Sequence, residues 1–452
     1  MKNLSLINIA NAIDGKLYCD PIFYNRCIKG AVIDSRQVEE DFLFFAVTGN
    51  RVDGHDYIDS VYEKKALVVV SEKMLDTDKP YILVESSLQA LKKLAIFYRK
   101  QLDIPVVGIT GSVGKTSTKE FVSSVLETKY KVLKTEGNFN NEIGLPLMVL
   151  KIRDYHEVAV LEMGISDFGE MTRLSEIAVP NICVLTNIGI CHLENLVDRD
   201  GVLKAKSEIF INADENCKVI LNGDDDKLAT IHNIKGNKPL FYGEQENYEC
   251  YCKNIKNNGV NGSCCDIYVG AECINVNVNI PGVHMIYNAM AAALVGKCLG
   301  LEMNQIKKGI ESLRDAAGRV NIIKKEYTII DDCYNANPVS MKASIDLLAT
   351  ANGRKIACLG DMLELGMNEN ELHYEIGNYL LEKKIDTVFL CGRLAKNIEN
   401  AILAQDDNVD VYWFEDKDDL TKSLKFYLRA EDTVLIKASH SMGFVNIVNL
   451  LK

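Results

Sequence analysis

The sequence has no run of lysine and arginine residues, and its acidic side chains outnumber the basic ones. It contains 63 Asp and Glu against 51 Lys and Arg, a formal net charge of −12 over 452 residues. Proteins that bind nucleic acids neutralise phosphates with a basic face. The charge therefore argues against a nucleic-acid-binding role. Binding of a free nucleotide is still allowed, because it needs only a few local cations and backbone N–H groups.

Long apolar stretches are also missing. No segment approaches the ~20 apolar residues needed to span a bilayer. The first residues, MKNLSLINIANAIDG, are interrupted by Asn and Asp and lack a small-residue cleavage site, so we expect no secretory signal. These absences predict a cytoplasmic protein without a membrane segment.

Fourteen cysteines are present, but no two of them have CxxC spacing. Cys250, Cys252, Cys264 and Cys265 form the one candidate metal cluster, and their spacing matches none of the common zinc patterns. Other cysteines lie in strand-like runs such as NICVLTN and KIACLG, where cysteine behaves as a small hydrophobe. We therefore expect reduced thiols rather than a zinc site.

The length of the chain predicts about three domains. Residues 1–103 mix short strand-like runs with a closing helix, and we expect a small α/β domain there. In residues 104–317 apolar strands alternate with helices, which is typical of a doubly wound parallel sheet. The polar stretch 242–281 interrupts this alternation and predicts a small antiparallel excursion. Residues 318–452 repeat the alternation, so we expect a Rossmann-like domain, with a ligand site in the cleft between the last two domains.

A glycine-rich turn lies between an apolar strand and a helix-compatible run at residues 108–117, GITGSVGKTS. Gly111 and Gly114 would let backbone N–H groups approach phosphate oxygens, and the helix N-terminus adds a favourable dipole. Lys115 would reach the β- and γ-phosphates, and Thr116 would offer its hydroxyl to Mg²⁺. The pattern indicates a phosphate-binding loop of the kind found in P-loop ATPases.

This loop is a variant of the strict pattern, which has glycine at the position of Ile109. A glycine turn followed by a chance Gly-Lys-Thr is the alternative, but the strand–turn–helix context favours a nucleotide site. The residues predicted to hold ATP here are Gly111, Ser112, Val113, Gly114, Lys115, Thr116 and Ser117.

Several motifs follow the loop in a fixed order along nearly the whole chain. They are TEGNFNNEIGLPL (135–147), LEMGISDFGE (161–170), TNIGICHLE (186–194), AKSEIF (205–210), GR (318–319), DDCYNANPVSM (331–341) and LGDMLELG (359–366). With TGSVGKTSTKE before them, this series resembles the Mur ligases. IDSRQV and DGHDYI near the N-terminus are similar to the segments that hold the uridine nucleotide in one branch of that family.

The resemblance implies an ATP-dependent ligase that forms an amide bond through an acyl phosphate. YNANP and LGDMLELG resemble the branch that joins D-alanyl-D-alanine to UDP-N-acetylmuramoyl-tripeptide. ATP and Mg²⁺ are the implied cofactors. We expect no nucleic-acid or membrane partner, and a monomer.

The resemblance also assigns roles in catalysis. Glu162 and His192 are implied to bind Mg²⁺, and Lys206 matches a lysine that the family carries as a carbamate, an anionic oxygen ligand. Arg319 fits a guanidinium that clamps phosphate. A solvated carboxylate, a structural histidine, a free lysine and a surface ion pair are the respective alternatives. The implied catalytic residues are Lys115, Glu162, His192, Lys206 and Arg319, and the implied metal ligands are Thr116, Glu162, His192 and Lys206.

Other residues are implied to bind the adenosine of ATP and the two substrates. Asp332, Tyr334 and Asn335 match the ribose and adenine contacts, although an Asn-Ala-Asn-Pro turn needs the same residue types. Asn288 fits an adenine contact or a buried polar group in a helix. Arg319 also belongs to the ATP set. The implied substrate residues are Ser35, Arg36, Asn138, Asn140 and Asn141 for the sugar-nucleotide peptide, and Asp361, Glu364 and His373 for the dipeptide.

The chain departs from the family at three places. Met285 stands where an Asn follows the family's histidine, and Ala438 and His440 replace a usual glycine and arginine. EEDF at 39–42 replaces a Pro-Gly-Asp turn. These changes bear on the adenine and C-terminal contacts rather than on phosphoryl transfer. The alternative functions are a Mur-type ligase adding a single amino acid, a folylpolyglutamate synthase, a P-loop regulatory ATPase and an inactive scaffold.

Overall fold

The computed structural model of the chain describes residues 1–49, 52–314, 320–405 and 409–452. Three separate β-sheets, of five, nine and six strands, follow one another along the chain. Each sheet is built from one of the three predicted segments, which confirms the three-domain α/β architecture. The residues at which one domain gives way to the next stay a prediction.

Short apolar runs form the first sheet. Its helices and strands are α1 Leu6–Ala12, β1 Lys16–Tyr18, β2 Gly30–Val32, β3 Phe42–Phe45, α2 Ile58–Glu63, β4 Val68–Ser71, β5 Tyr81–Leu83 and α3 Ser87–Arg99. The strand order is β1-β5-β4-β3-β2. Strands β2 to β5 are parallel, and β1 is an antiparallel edge.

The second sheet contains the phosphate loop. Its strands are β6 Val106–Thr110, β7 Val132–Lys134, β8 Val158–Glu162, β9 Ile182–Leu185, β10 Lys218–Asn222, β11 Leu240–Gly243, β12 Cys250–Asn257, β13 Ser263–Val269 and β14 Glu272–Val278. Its helices are α4 Lys115–Leu126, α5 Gly144–Leu150, α6 Glu170–Ala178, α7 Leu193–Leu196, α8 Arg199–Ser207, α9 Met285–Cys298 and α10 Met303–Ser312. The strand order is β14-β13-β12-β11-β10-β9-β6-β8-β7. Every residue of β6, β8 and β9 is buried, as expected for strands covered by helices on both faces.

The predicted antiparallel excursion is confirmed in β12 to β14, which pair antiparallel with one another. It is not a separate sheet, because β12 pairs parallel with β11 and so extends the central sheet. Alternate residues of β14 are buried, the pattern of a strand with one solvated face. Cys250, Cys252 and Cys265 are buried in the core here, and all fourteen cysteines are free thiols.

The third sheet follows the predicted alternation. Its helices and strands are β15 Asn321–Lys324, β16 Thr328–Asp331, α11 Pro338–Ala349, β17 Lys355–Gly360, α12 Glu369–Glu382, β18 Thr387–Cys391, α13 Lys396–Leu403, β19 Asp410–Phe414, α14 Lys417–Tyr427, β20 Thr433–Lys437 and α15 Val445–Leu451. The strand order is β15-β16-β20-β17-β18-β19, and only β15 runs antiparallel. Among the described residues, no helix is both long and apolar enough to cross a membrane.

Helix α3 joins the first sheet to the central domain. The buried Arg99 donates from Nε to Ala178 O at 2.8 Å and from Nη2 to Val179 O at 3.1 Å, at the end of α6. Tyr98 donates its hydroxyl to Ile152 O at 2.7 Å. Burial lowers the pKa of Arg99, which shows that the guanidinium has lost much of its hydration. Tyr98 and Arg99 therefore join the two domains by donating hydrogen bonds, in place of water, to backbone carbonyl groups of the central domain.

We expect Arg99→Met to destabilise the chain by about 2–3 kcal/mol, because it removes charge-assisted hydrogen bonds and leaves buried carbonyl groups without donors. The midpoint of thermal unfolding, followed by circular dichroism, would fall by several degrees. Lys100→Met is the matched control, since Lys100 is exposed at the end of the same helix. Equal midpoints for the two variants would contradict the anchoring role.

Candidate active site

A cavity of about 530 Å³ lies between the central and C-terminal sheets. Strands β6 and β8 end on its central side, and β16 and β20 end on its other side, as expected for ligand sites of parallel sheets. Fourteen predicted site residues line it: Ser112, Val113, Gly114, Lys115, Ser117, Asn140, Asn141, Glu162, His192, Asn288, Asp332, Tyr334, Asn335 and Glu364. The structure thus brings together motifs that are as much as 252 residues apart in sequence, from Ser112 to Glu364.

The phosphate loop is held in place by the segment that follows β9. Asn187 accepts from Ser112 N through its carbonyl and from Val113 N through its side chain, both at 3.0 Å. Thr186 Oγ1 donates to Val113 O at 2.6 Å. Gly111 has φ +147°, and a Cβ there would lie 1.9 Å from Thr186 Oγ1, so this position requires glycine. The N–H groups of Ser112 and Val113 are therefore already occupied by Asn187.

The start of α4 is therefore the part of the loop suited to an anion. Gly114 precedes the helix with φ +80°, a left-handed conformation, and no side chain caps the helix there. Lys115 Nζ donates to Gly111 O at 2.8 Å and lies 3.4 Å from Ser112 O. A cation and a helix N-terminus consequently meet at one wall of the cavity.

Glu162, at the end of β8, is 1% exposed. Its Oε1 accepts from Asn140 Nδ2 at 2.8 Å, and its backbone N donates to Thr135 Oγ1 at 2.9 Å. Its other carboxylate oxygen, Oε2, is buried and has no hydrogen-bond partner among the described residues. A buried carboxylate oxygen without a donor is costly, and a cation would remove that cost.

Lys206, on α8, is 1% exposed. Burial lowers the pKa of its amine to about 8, and the nearby ammonium of Lys115 acts in the same direction. The amine therefore deprotonates more readily than an ordinary lysine. A neutral amine is the form that reacts with CO₂ to give a carbamate, so the environment suits the modification that the sequence predicts.

His192 bridges the two sides of the cavity. Its Nδ1 lies 2.8 Å from Oε2 of Glu364, which belongs to the loop after β17. Burial lowers the pKa of His192, Lys206 lowers it further, and Glu364 opposes them. The contact leaves Nε2 as the ring nitrogen available to a ligand, and a carboxylate on the opposite nitrogen is a common way to orient a metal-binding histidine.

These residues fit a hard cation. Among the described residues, no group of three or more His, Cys, Asp and Glu side chains is placed to hold a metal ion. Mg²⁺ is commonly bound by one or two carboxylates together with water and substrate phosphates. The buried Oε2 of Glu162 suits that arrangement. Thr116, which the sequence adds to the set, lies at a second cavity.

Asn288, on α9, supports the phosphate helix. Its Oδ1 accepts from Thr118 Oγ1 at 2.9 Å, and its Nδ2 lies 3.3 Å from Met285 Sδ. A Cβ on Gly114 would lie 3.3 Å from its Oδ1. Asn288 is therefore a packed polar group that also lines the cavity, and its role as an adenine contact stays a prediction.

The turn between β16 and α11 carries Asp332, Tyr334 and Asn335 to the opposite wall. Asn337 caps α11, accepting from Ser340 N at 2.9 Å. Tyr334 packs against His440 with ring centroids 5.9 Å apart. The Asn-rich sequence of this turn thus serves helix capping as well as cavity lining.

A second cavity, of about 510 Å³, lies beside the first on the same two domains. Asn138, Thr116 and His440 line it. Asn141, by contrast, uses its Oδ1 to accept from Gly144 N at 2.9 Å at the start of α5. The three predicted asparagines of this loop therefore point to different places.

Ser35 and Arg36 lie on the N-terminal domain and line neither cavity. They form a short 3-10 turn capped by Asp34. Arg36 Nη2 lies 2.8 Å from Asp34 Oδ2, and its side chain is 86% exposed. Lys64 Nζ donates to Ser35 O at 2.8 Å.

Asp361 and His373, predicted to lie near the dipeptide, are instead turned into the C-terminal domain. His373 is 0% exposed, accepts from Met362 N at 2.9 Å and bonds Glu369 O at 2.6 Å. Asp361 Oδ1 accepts from Ala395 N at 2.8 Å. Neither lines a described cavity. Both support the loop after β17, and of the three residues Glu364 lines the cavity. Their role in binding the dipeptide stays a prediction. Arg319 lies outside the described residues.

The family departures are accommodated locally. Ala438 is fully buried, and a Cβ on Gly360 of the neighbouring strand would lie 2.7 Å from Ala438 Cβ. Asp41 takes φ +65° in the EEDF turn and forms ion pairs with Arg26 and, at 3.1 Å, with Lys29. Met285 is 3% exposed beside Asn288.

Sequence reasoning missed three residues that organise the site: Asn187, Thr135 and Lys437. Lys437 ends the apolar strand β20, and a charged residue closing a fully buried strand was the available signal. Thr135 links the phosphate helix to Glu162, since its O accepts from Lys119 Nζ at 2.8 Å. Thr135 and Asn187 lie within the motifs TEGNFNNEIGLPL and TNIGICHLE, but nothing in those motifs distinguishes these two positions from their neighbours.

Comparison with known families matches three models along the chain. "Mur ligase family, catalytic domain" covers residues 28–109, "Mur ligase middle domain" covers 109–296, and "Mur ligase, glutamate ligase domain" covers 318–440.

Individual relatives match over nearly their full length. UDP-N-acetylmuramoyl-tripeptide--D-alanyl-D-alanine ligase of Bacillus subtilis (strain 168) is 36% identical over 98% of this chain and 96% of its own. A crystal structure of MurF from Acinetobacter baumannii superposes with a TM-score of 0.89 at 28% identity, over 99% of this chain and 98% of that one. MurF ligase from Thermotoga maritima in complex with ADP gives a TM-score of 0.82 at 31% identity, over 93% and 96%.

The burial of Lys206 predicts a gain in stability when its charge is removed. The folded-state pKa of about 8 lies below the unfolded value of 10.5, so below pH 8 folding must bury an ammonium at a cost of roughly 3 kcal/mol. This cost falls as the pH rises through 8 and is gone above the unfolded value. In CO₂-free buffer at pH 7, Lys206→Met should therefore unfold at a higher temperature than the wild type, and the gap should narrow by pH 10.

Lys204→Met is the matched control, because Lys204 is exposed on the same helix. Its midpoint should follow that of the wild type at both pH values. A Lys206→Met protein that is no more stable than the control at pH 7 would refute the buried ammonium.

Proposed function

The chain belongs to the Mur ligase family, and on that premise we propose that it joins D-alanyl-D-alanine to UDP-N-acetylmuramoyl-tripeptide with ATP. The reaction is an ATP-dependent amide-bond formation in the synthesis of peptidoglycan precursors. The named relatives that carry this activity match the chain over nearly its whole length.

One observation carries the proposal. The phosphate loop, the carboxylate of Glu162 and the turn with Asp332 border a single cavity, although they come from two domains, and no described residue donates to Oε2 of Glu162. A ligase of this kind has to place a nucleotide, a cation and a carboxylate within reach of one another, because its catalysis is mainly positioning and charge neutralisation. A cavity with these three walls supports that task.

The proposed chemistry has two steps. A carboxylate oxygen of the tripeptide attacks the γ-phosphorus of ATP, the bond to the bridging oxygen breaks, and ADP leaves, giving an acyl phosphate. The neutral amine of the dipeptide then attacks the acyl carbon, forming a tetrahedral intermediate. Its collapse breaks the carbon–oxygen bond and releases phosphate, and the nitrogen loses a proton to leave the amide.

Residues of the chain would stabilise the negative charge that shifts when the γ-phosphoryl group is transferred. The N-terminus of α4 and Lys115 face the triphosphate, and we propose that Arg319 clamps a phosphate from the C-terminal side. Glu162, His192, Lys206 and Thr116 would hold Mg²⁺, which neutralises phosphate charge when bound.

Lys206 is proposed to act as a carbamate rather than as a cation. An ammonium beside Mg²⁺ would repel it, whereas a carbamate supplies an anionic oxygen. A ¹³C resonance of a carbamate should appear when the protein is equilibrated with ¹³C-bicarbonate and should be missing in Lys206→Met.

The remaining residues are proposed to select the substrates. Asn288, Asp332, Tyr334 and Asn335 would bind the adenosine of ATP. Ser35, Arg36, Asn138, Asn140 and Asn141 would bind the UDP-linked peptide, and Glu364 would meet the incoming dipeptide. We further propose a monomer that works in the cytoplasm, with domain boundaries near residues 103 and 317.

Two other functions are tested by the same assay. A ligase of this family that adds a single amino acid would accept that amino acid in place of the dipeptide. A regulatory ATPase would hydrolyse ATP without either substrate.

We expect phosphate release only when UDP-N-acetylmuramoyl-tripeptide, D-alanyl-D-alanine and ATP are all present. The acyl phosphate forms only on the tripeptide carboxylate and turns over only when an amine attacks it. A coupled phosphate assay, with mass spectrometry of the product, measures both requirements. Rapid release with ATP alone, or an equal rate with a single amino acid, would favour one of the alternatives.

Glu162→Gln should lower the ligation rate by about 100-fold or more, because the amide cannot supply the charge that the buried oxygen provides. It should also raise the Mg²⁺ concentration needed for half-maximal rate. Glu157→Gln is the control, since Glu157 is exposed just before the same strand. Unchanged Mg²⁺ dependence in Glu162→Gln would remove Glu162 from the cation site.

A further inference from the structure

A buried ion pair lies at the C-terminal wall of the cavity. Lys437 is 1% exposed and Asp332 is 6% exposed, and Nζ of the lysine lies 2.5 Å from Oδ2 of the aspartate. Both residues line the cavity. A buried pair of charges is favourable only when further hydrogen bonds satisfy the remaining donors and acceptors.

Those further bonds are present and all tie the lysine to one turn. Lys437 Nζ also donates to Asn335 O at 2.9 Å and lies 3.5 Å from Asp332 O. Three contacts match the three protons of an ammonium. Lys437 thereby holds the turn after β16 at two residues, Asp332 and Asn335.

The hydrogen bonds to the carboxylate of Asp332 are concentrated on one of its two oxygens. Oδ2 accepts from Lys437 and also from Ser344 Oγ at 2.6 Å. Both protein donors therefore approach the same oxygen. This arrangement orients the carboxyl group and keeps Oδ1 for a ligand in the cavity.

We propose that Lys437 is a positioning residue for nucleotide selection: it holds the carboxylate of Asp332 oriented so that Oδ1 accepts hydrogen bonds from the ribose hydroxyls of ATP. The inference rests on the proposed function, which places the adenosine of ATP at this turn. The proposal adds Lys437 and the Oδ1 atom of Asp332 to that function. A carboxylate oxygen held in a fixed direction accepts hydrogen bonds from a sugar that carries hydroxyl groups and not from a sugar that lacks them. Lys437 itself acts on nucleotide selection through the carboxylate of Asp332.

The test compares two nucleotides by equilibrium binding. Dissociation constants for ATP and 2′,3′-dideoxy-ATP are measured by calorimetry with Mg²⁺ and without the other substrates. Hydrogen bonds to a charged acceptor are strong enough for the wild type to prefer ATP by about tenfold or more. In Lys437→Met the carboxyl group loses its cation, so the preference should fall to about threefold or less, mainly through weaker binding of ATP.

Lys355→Met is the matched control. Lys355 begins the neighbouring strand β17 and pairs in register with Thr433, at the opposite end of the sheet from Lys437. Its substitution should leave the ratio of the two dissociation constants within about twofold of the wild type.

A second pair of variants keeps the test valid if the buried carboxylate without its lysine unfolds the domain. Asp332→Asn alone and Asp332→Asn combined with Lys437→Met both lack the buried negative charge. Their nucleotide ratios should agree, because Lys437 acts on selection through the carboxylate. A further drop in the double variant would overturn the proposal.

Two other results would overturn it as well. One is a wild-type protein that binds ATP and dideoxy-ATP equally. The other is a Lys437→Met protein that weakens both nucleotides by the same factor, which indicates a general structural role. Because no ligation is measured, an inactive wild type with a strong preference for ATP would reject the proposed function and leave this inference standing.

Discussion

The buried carboxylate of Glu162 is the constraint on which the organisation of the central domain depends. One of its oxygens is hydrogen-bonded, and the other is shielded from water with no donor in the part of the chain that the structure describes. Such a group is unfavourable unless the rest of the fold enforces it. Two residues hold Glu162 in place. Thr135 accepts a hydrogen bond from its backbone N–H, and Asn140 donates one to its carboxylate.

The fold also holds the charged groups near Glu162 in fixed positions. Lys206 is buried with a lowered pKa, and Lys115 donates to the carbonyls of its own loop. Burial of an amine or a carboxylate oxygen is costly unless the group is paired. A cation beside Glu162 would lower that cost, and the start of α4 suits the anion that such a cation would accompany.

Much of this organisation follows from local pattern. Buried β-branched runs predicted β6, β8 and β9, and the strand–glycine–helix order predicted the phosphate loop, because backbone preference and burial act over a few residues. The direction of a side chain does not follow in the same way. Asp361 and His373 belong to a motif or lie close to it, yet they point inward, whereas Glu364 points to the cavity. Lys437 and Asn187 act across long sequence separations, and only the packed sheets bring them to the site.

Ala438 illustrates how a departure from a family pattern is absorbed. Its methyl group occupies the space that a side chain at Gly360 would need, and the ring of Phe444 closes the same space from another side. The two strand positions therefore share one fixed volume. An alanine at position 360 would need a smaller residue at 438 and a displaced ring at 444, so substitutions at 360 and 438 are tolerated only in combination.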